Sequence, residues 1–210
     1  MSASHLPVKH LVLLRHGQTA WNAEGRIQGQ LDVEINETGH GQAAAVAPLL
    51  AALRPVVLWS SDSARARQTA AYVAKETDLE PTYDARLREY YLADWQGRTH
   101  ADAVAADAAL FERFRAGDFD AVPGGETTAE VSARMVEALT ELLDSIEPGE
   151  VAIAVSHGAA IRDAVPVLLG WPVGERAALR GLANCGWVEL EQAAAGEPLQ
   201  LRAYNRVAAP

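Results

Sequence analysis

The chain has 210 residues, which suits one domain with a full buried core and room for a small insertion. Hydrophobic residues make up 49%, much of it alanine, so closely packed Ala-rich helices are expected. The formal net charge of -10 argues against nucleic acid and an anionic membrane surface as partners, but a local cluster of arginines could still hold a small anionic substrate.

Cys185 is the single cysteine, so no internal disulfide forms and a reducing compartment is the simple reading. No Cys or His pair stands at zinc-ligand spacing. The apolar stretch from Leu11 to Leu14 runs straight into Arg15, unlike a signal peptide. No apolar run approaches the ~18–20 residues of a membrane span. A soluble, cytoplasmic protein is expected.

Met1 to Lys9 reads as a disordered lead-in. Leu11-Val12-Leu13-Leu14 is a buried strand that breaks into Arg15-His16-Gly17. Arg15 is a permanent cation suited to phosphate, and His16 is a nucleophile largely neutral at pH 7. Ala23 to Glu34 reads as a polar loop. Asn36 caps a helix toward Leu53, which Pro48 should kink or break. Val56 to Trp59 is a second strand, ending at Ser60-Ser61-Asp62-Ser63. A helix through Arg65, Thr69, Val73 and Lys75 follows.

Pro81 to Glu89 reads as extended, Tyr90 to Thr99 as a loop, and Ala101 to Arg115 as helical. Residues 90–125 are expected to form a small helical lid within one domain spanning 1–210. Thr127-Thr128-Ala129-Glu130 is a capping box for a helix to about Ser145. Its apolar stripe is Val131, Met135, Leu139, Leu142 and Leu143. Val151 to Val155 is a third strand, ending at Ser156-His157-Gly158, with a helix from about Ala159. Gly186 to Leu190 and Leu199 to Tyr204 form an antiparallel pair turning near Gly196-Glu197.

Three strand ends therefore carry charged or catalytic-type groups, and in a parallel sheet they share one edge. Two histidines, two arginines and at least two helix N-termini would meet there, a set suited to a phosphoryl group.

The ordered pieces are Leu14-Arg15-His16-Gly17-Gln18-Thr19, Trp21-Asn22, Arg26 with Gln28-Gly29, Ser60-Ser61-Asp62, Arg65-Ala66, Thr69-Ala70, Leu87-Arg88-Glu89, Trp95-Gln96-Gly97, Gly125-Glu126 and Ser156-His157-Gly158. From about Leu11 to Gly170 they resemble the histidine phosphatase superfamily, in its phosphoglycerate-mutase-like branch. The resemblance implies an α/β fold, a three-layer α/β/α sandwich with a mostly parallel sheet. It implies that His16 takes the phosphoryl group, that Arg15, Arg65 and His157 clamp its oxygens, and that Glu89 protonates the leaving oxygen and then activates water. Asn22, Gln28, Gly29 and the backbone at Gly158 would add substrate contacts. Glu89 would need a raised pKa, which burial in a lidded pocket could supply. Neither metal nor cofactor is required, since the arginines supply the charge. The expected partner is a small phosphorylated metabolite, with a homodimer as the expected assembly.

Other residues invite blander readings. His5, His10, His40 and His100 belong on the surface or in loops. Trp95 packs beneath its loop. Arg67, Arg86 and Arg88 are solvated or paired, and Cys185 is a packed thiol. Tyr90, Tyr91 and His100 are candidates to line the pocket and set specificity.

The resemblance also separates hydrolysis from mutase chemistry. True cofactor-dependent mutases have Arg after the acid, a later Lys, a paired Arg motif and a Pro run. This chain has Tyr90 after Glu89, His100 near the lysine position, and neither the Arg pair nor the Pro run. A phosphatase is favoured, with mutase activity as the alternative and a non-catalytic phospho-ligand binder as the reading from another class. Gln28 to Asp32, Ser60-Ser61-Asp62 and Leu87 to His100 are similar to the glucosyl-3-phosphoglycerate phosphatase group. Other phosphorylated sugars and an α-ribazole phosphate are the rival substrates.

Overall fold

Leu11 to Leu14 are fully buried, because their strand lies inside a sheet covered on both faces. Each such side chain contributes roughly 1.5–3 kcal/mol on burial. In this computed structural model, which describes residues 7–172, 178–193 and 197–208, the strands are β1 (Lys9–Arg15), β2 (Val57–Ser60), β3 (Thr82–Tyr83), β4 (Val151–Ser156), β5 (Trp187–Gln192) and β6 (Gln200–Arg206). They form one sheet in the order β3-β2-β4-β1-β5-β6. β1 to β4 run parallel. β5 is antiparallel to β1, and β6 to β5.

The alternation along β1 sorts the core into two layers. Leu11 and Leu13 pack with α6 (Thr128–Asp144) and α7 (Gly158–Leu168), against Val131, Met135, Leu139 and Ile161. Val12 and Leu14 pack with α2 (Glu37–Ala51) and α3 (Ala64–Thr77), against Val46, Leu50, Ala66 and Val73. The result is the expected α/β/α sandwich. The capping box forms at Thr127 and Glu130, and the whole predicted stripe of α6 is buried.

Several expectations are corrected. Lys9 belongs to β1, not to the lead-in; residues 1–6 lie outside the described residues. The polar loop is preceded and overlapped by a short helix, α1 (Ala20–Glu24), opened by a Thr19–Asn22 capping box. Pro48 lies within α2, in its last turn, and the helix ends three residues later. Pro81 to Glu89 is extended only at β3, then tightens into a single turn at Ala85–Leu87. The helical stretch after residue 100 is two helices, α4 (His100–Ala106) and α5 (Ala108–Arg115); Asp107 splits them by capping the second. The β5–β6 pair is present, but Gly196 of its predicted turn lies outside the described residues.

Candidate active site

The register of the sheet assembles the site. Arg15 of β1 pairs with Ser156 of β4, so the next residues of each strand, His16 and His157, emerge side by side. The His16 N–H donates to the Ser156 carbonyl at 3.0 Å, and the two ring centroids are 5.2 Å apart. Arg65 enters from the first turn of α3, at the end of β2.

His16 is almost wholly buried. Its Nδ1 lies 2.7 Å from the Gly17 carbonyl, which can only accept, so Nδ1 carries the proton and Nε2 keeps its lone pair. Burial, then Arg65 and Arg15, hold the ring well below the usual imidazole pKa. The ring is therefore neutral at pH 7. Gly17 is fixed in turn by the Thr69 hydroxyl, which accepts its N–H at 3.0 Å. A side chain at Gly17 would bring its Cβ within 2.7 Å of the Gly39 carbonyl, which explains the glycine.

Arg65 is 1% exposed. It donates to the Gly29 carbonyl at 2.7 Å, the Leu31 carbonyl at 2.8 Å and His157 Nδ1 at 3.2 Å. Burial pushes its pKa down to about 10, so it stays cationic at neutral pH. Arg15 donates to the Leu182 carbonyl, and its buried Nε has no hydrogen-bond partner among the described residues. Both arginines line one cavity of about 180 Å³ together with His16, Asn22, Gln28, Gly29 and Glu89.

The two amides are turned alike. Asn22 Oδ1 accepts from the Thr19 N–H, and Gln28 Oε1 accepts from the Thr19 hydroxyl. Each amide therefore keeps its NH2 group as the end available to a ligand. Gly29 has φ +53, and a Cβ there would meet Gln96 Oε1 at 2.2 Å. Its carbonyl is an Arg65 acceptor, so this glycine lets the loop close on the cation. Gly158 opens α7 and, with Arg15 and Glu89, lines an adjoining groove of about 230 Å³.

His157 is fully buried and lies one layer behind His16 rather than on the cavity wall. Its Nδ1 accepts from Arg65, and its Nε2 faces Ser61 Oγ at 2.9 Å and Ser63 Oγ at 3.3 Å. Burial, then Arg65 and His16, keep it neutral.

Glu89 stands at the opposite wall, at the N-terminus of α7. Oε1 accepts the Ala160 N–H at 2.9 Å and the Tyr90 N–H at 3.1 Å; among the described residues Oε2 accepts only the Ala159 N–H, at 3.0 Å. The carboxyl is thus held by main-chain donors at the cavity wall.

Beyond His16 and the two arginines, Ile27, Tyr90, Leu92, Phe114 and Phe119 line the cavity, with Arg26 and His100. Tyr90 is buried, and its hydroxyl donates to Asp163 at 2.6 Å. Tyr91 is exposed and does not line the cavity. Trp95 packs on Phe111 and Phe114 beneath its loop. Burial pushes the Cys185 thiol up to about 12, so it is an inert packed group.

His10 corrects a surface expectation: it lies in β1, 3.7 Å from Glu189. His40 sits on α2 against Tyr72, and His5 lies outside the described residues. Arg86 pairs with Asp84, Glu137 and Glu141, and Arg88 with Asp62. Arg67 stacks over Tyr83. Among the described residues, no group of three or more His, Cys, Asp or Glu could hold a metal ion, and no helix is long and apolar enough to cross a membrane.

Sequence reasoning missed Asn184, whose Nδ2 reaches the His16 carbonyl and Asn22 Oδ1, both at 3.2 Å. It also missed Arg134, which donates to main-chain carbonyls beside Glu89. No local pattern marks either one. Ser61 and Ser63, just after β2, likewise face His157 Nε2 without any local pattern to mark them.

Glucosyl-3-phosphoglycerate phosphatase of Mycobacterium tuberculosis is 41% identical over 191 residues, 87% of this chain and 85% of that protein. A probable phosphoglycerate mutase GpmB of Cronobacter sakazakii is 39% identical, over 82% of this chain and 80% of the relative. The solved structure of a mycobacterial glucosyl-3-phosphoglycerate phosphatase in complex with VO3 superposes with a TM-score of 0.87 at 38% identity, covering 93% of this chain and 98% of that one. The model of the histidine phosphatase superfamily, branch 1, matches residues 11–205. With that match spanning both sheet-edge histidines, the chain belongs to the histidine phosphatase superfamily, branch 1.

Proposed function

We propose that this protein is a metal-independent phosphomonoester hydrolase that works through a phosphohistidine on His16. The observation that carries the reading is the His16 tautomer: Nδ1 is tied to the Gly17 carbonyl, so Nε2 is the nucleophile, in a cavity it shares with Arg15 and Arg65. In the first step the Nε2 lone pair forms the N–P bond as the ester P–O bond breaks. Glu89 Oε2 gives its proton to the leaving oxygen. In the second step water attacks phosphorus, Glu89 takes the water proton, the N–P bond breaks, and neutral His16 and phosphate are left. Arg15, Arg65 and the amide NH2 groups of Asn22 and Gln28 hold the charge on the equatorial oxygens. Gly29 shapes the same cradle and Gly158 lets α7 begin against Arg15. His157 orients Arg65 from behind.

The substrate we favour is glucosyl-3-phosphoglycerate, because the mycobacterial relatives carry that name and cover most of both chains. The aromatic wall of Tyr90, Phe114 and Phe119 suits the C–H faces of a sugar ring, and Arg26 suits a carboxylate. The mutase reading has its own support in the relative named as a probable phosphoglycerate mutase. Against it, the wall beyond the phosphate end is mainly apolar and offers few cations to retain a bisphosphate during reorientation. The test is phosphate release from glucosyl-3-phosphoglycerate, 3-phosphoglycerate, phosphoserine and sugar phosphates, with a parallel assay of 3-phosphoglycerate plus bisphosphate primer. Preferential release from the glucosyl ester supports the assignment. Interconversion of phosphoglycerates without net release overturns it.

A further inference from the structure

Glu89 sits on a segment with almost no regular structure. Between β3 and α4 the main chain makes only two isolated turns, Ala85–Leu87 and Ala93–Trp95. Buried carbonyls in such a segment need partners from elsewhere. Arg134 of α6 supplies most of them. Its Nη1 donates to the Arg86 carbonyl at 2.8 Å and the Arg88 carbonyl at 2.6 Å, and its Nη2 to the Glu89 carbonyl at 2.9 Å. The remaining donors go to Glu126: Nε to Oε1 and Nη2 to Oε2, each at 2.9 Å. All five N–H bonds of the guanidinium are thereby used.

Glu126 completes the clamp. Its Oε2 accepts the Tyr91 N–H at 2.7 Å, and its own N–H donates to the Tyr91 carbonyl at 2.8 Å. Gln30 Nε2 joins the Glu89 carbonyl at 3.0 Å to Glu126 Oε2 at 3.2 Å. Ser156 Oγ takes the one carbonyl that Arg134 skips, that of Leu87, at 2.8 Å. The main chain on both sides of Glu89 is therefore set from α6 and β4. With the Glu89 backbone fixed there, its carboxyl meets the amides of Ala159 and Ala160 at the N-terminus of α7.

We infer that Arg134, held by Glu126, is the positioning residue that sets the proton-donating carboxyl of Glu89 against the leaving oxygen. The inference rests on the proposed role of Glu89 as general acid. Arg134 is not among the residues lining the cavity, so it acts on Glu89 through the main chain rather than by touching the substrate. Lysine could not replace it: a point charge with three donors does not reproduce a planar fork that spans three carbonyls and a carboxylate.

The test uses Arg134→Lys and, as a milder second variant, Glu126→Gln, which keeps Arg134 but removes one of its acceptor oxygens. Each is checked for cooperative unfolding. Phosphoenzyme formation is then measured in single turnover with 3-phosphoglycerate, a poor leaving group, and with p-nitrophenyl phosphate, a good one. A displacement of this kind costs about 10²-fold. We expect that loss for the glycerate ester in Arg134→Lys, a smaller one in Glu126→Gln, and little change for the aryl ester in either. Adding Arg134→Lys to Glu89→Gln should cost nothing further in this step. Equal losses for the two esters in a folded variant, or a full further loss on the Glu89→Gln background, would overturn the positioning role. Should Glu89→Gln alone treat the two esters alike, the acid assignment itself fails, and the role of Arg134 falls with it.

Discussion

The Nδ1 atom of His16 lies 2.7 Å from the carbonyl oxygen of its neighbour Gly17. That contact places the ring proton on Nδ1 and leaves the Nε2 lone pair free, the state a phosphohistidine mechanism requires. The backbone that provides it is held by Thr69 and by the close approach of Gly17 to Gly39. His16→Ala should therefore remove chemistry and leave the fold. We expect a folded variant with turnover reduced by at least about 10³-fold, and with no acid-labile phosphoenzyme. A folded His16→Ala protein that keeps a substantial rate would sink the phosphohistidine assignment.

Burial, with Arg65 beside both rings, holds His16 and His157 well below the ordinary imidazole value. From about pH 6.5 downward the unfolded chain then binds protons that the folded chain refuses. The stability from these neutral rings is fully present above pH 6.5 and is lost as pH falls through that window. Each histidine adds a slope of up to about 1.4 kcal/mol per pH unit. Thermal unfolding followed from pH 7.5 down to 5 should show a falling Tm in the parent and a shallower fall in His157→Asn. Matching slopes would mean that the ring at position 157 protonates freely in the folded state.

Activity should survive removal of divalent ions. The charge that a metal would bring comes from Arg15 and Arg65, both of which line the cavity. Dialysis against EDTA should leave kcat and KM unchanged for an alkyl phosphate. A loss of activity that magnesium or zinc restores would show that the cradle needs a cation it does not itself supply.

How far the site was legible depends on where its partners lie in the chain. His16 and His157 announce themselves because each ends an apolar run, and Arg65 because it opens a helix after another. The register Arg15 to Ser156 then brings them together without further instruction. Arg134 is different: its partner Glu89 is 45 residues away, and nothing in the stripe of α6 distinguishes a clamp from a solvated arginine. Asn184 meets Asn22 across 162 residues, through the tertiary fold alone. α1 was hidden by its length, since five residues carry too little periodicity, although its Thr19–Asn22 cap is local. The break between α4 and α5 turns on the one aspartate at 107, within a composition that is helical throughout. The surroundings of Glu89 could not be foreseen from Tyr90 and Tyr91 either, because the groups that reach its carboxyl are mostly backbone amides of α7.

The last expectation concerns that carboxyl. Glu89 Oε1 is occupied by two N–H donors and Oε2 by one, so the proton that the leaving oxygen needs is best carried on Oε2. A glutamine at this position keeps the shape but places either a carbonyl oxygen or an NH2 group against the α7 amides, and it has no acidic proton to give. The loss should therefore scale with the need for a proton. For a sugar or glycerate phosphate, whose alkoxide is a poor leaving group, general acid help is worth about 10²–10⁴-fold. For p-nitrophenyl phosphate the phenolate leaves with little help. We expect Glu89→Gln to slow phosphoenzyme formation in single turnover by that range for the alkyl ester and far less for the aryl ester. Single turnover matters because the second step has the same phosphohistidine for both substrates and uses Glu89 as base. There, Glu89→Gln should slow the release of phosphate equally, and the phosphoenzyme should accumulate with the aryl substrate. If both esters lose equally in the first step, Glu89 only braces α7 against the loop, and the proton must come from another group along the loop between Tyr90 and His100.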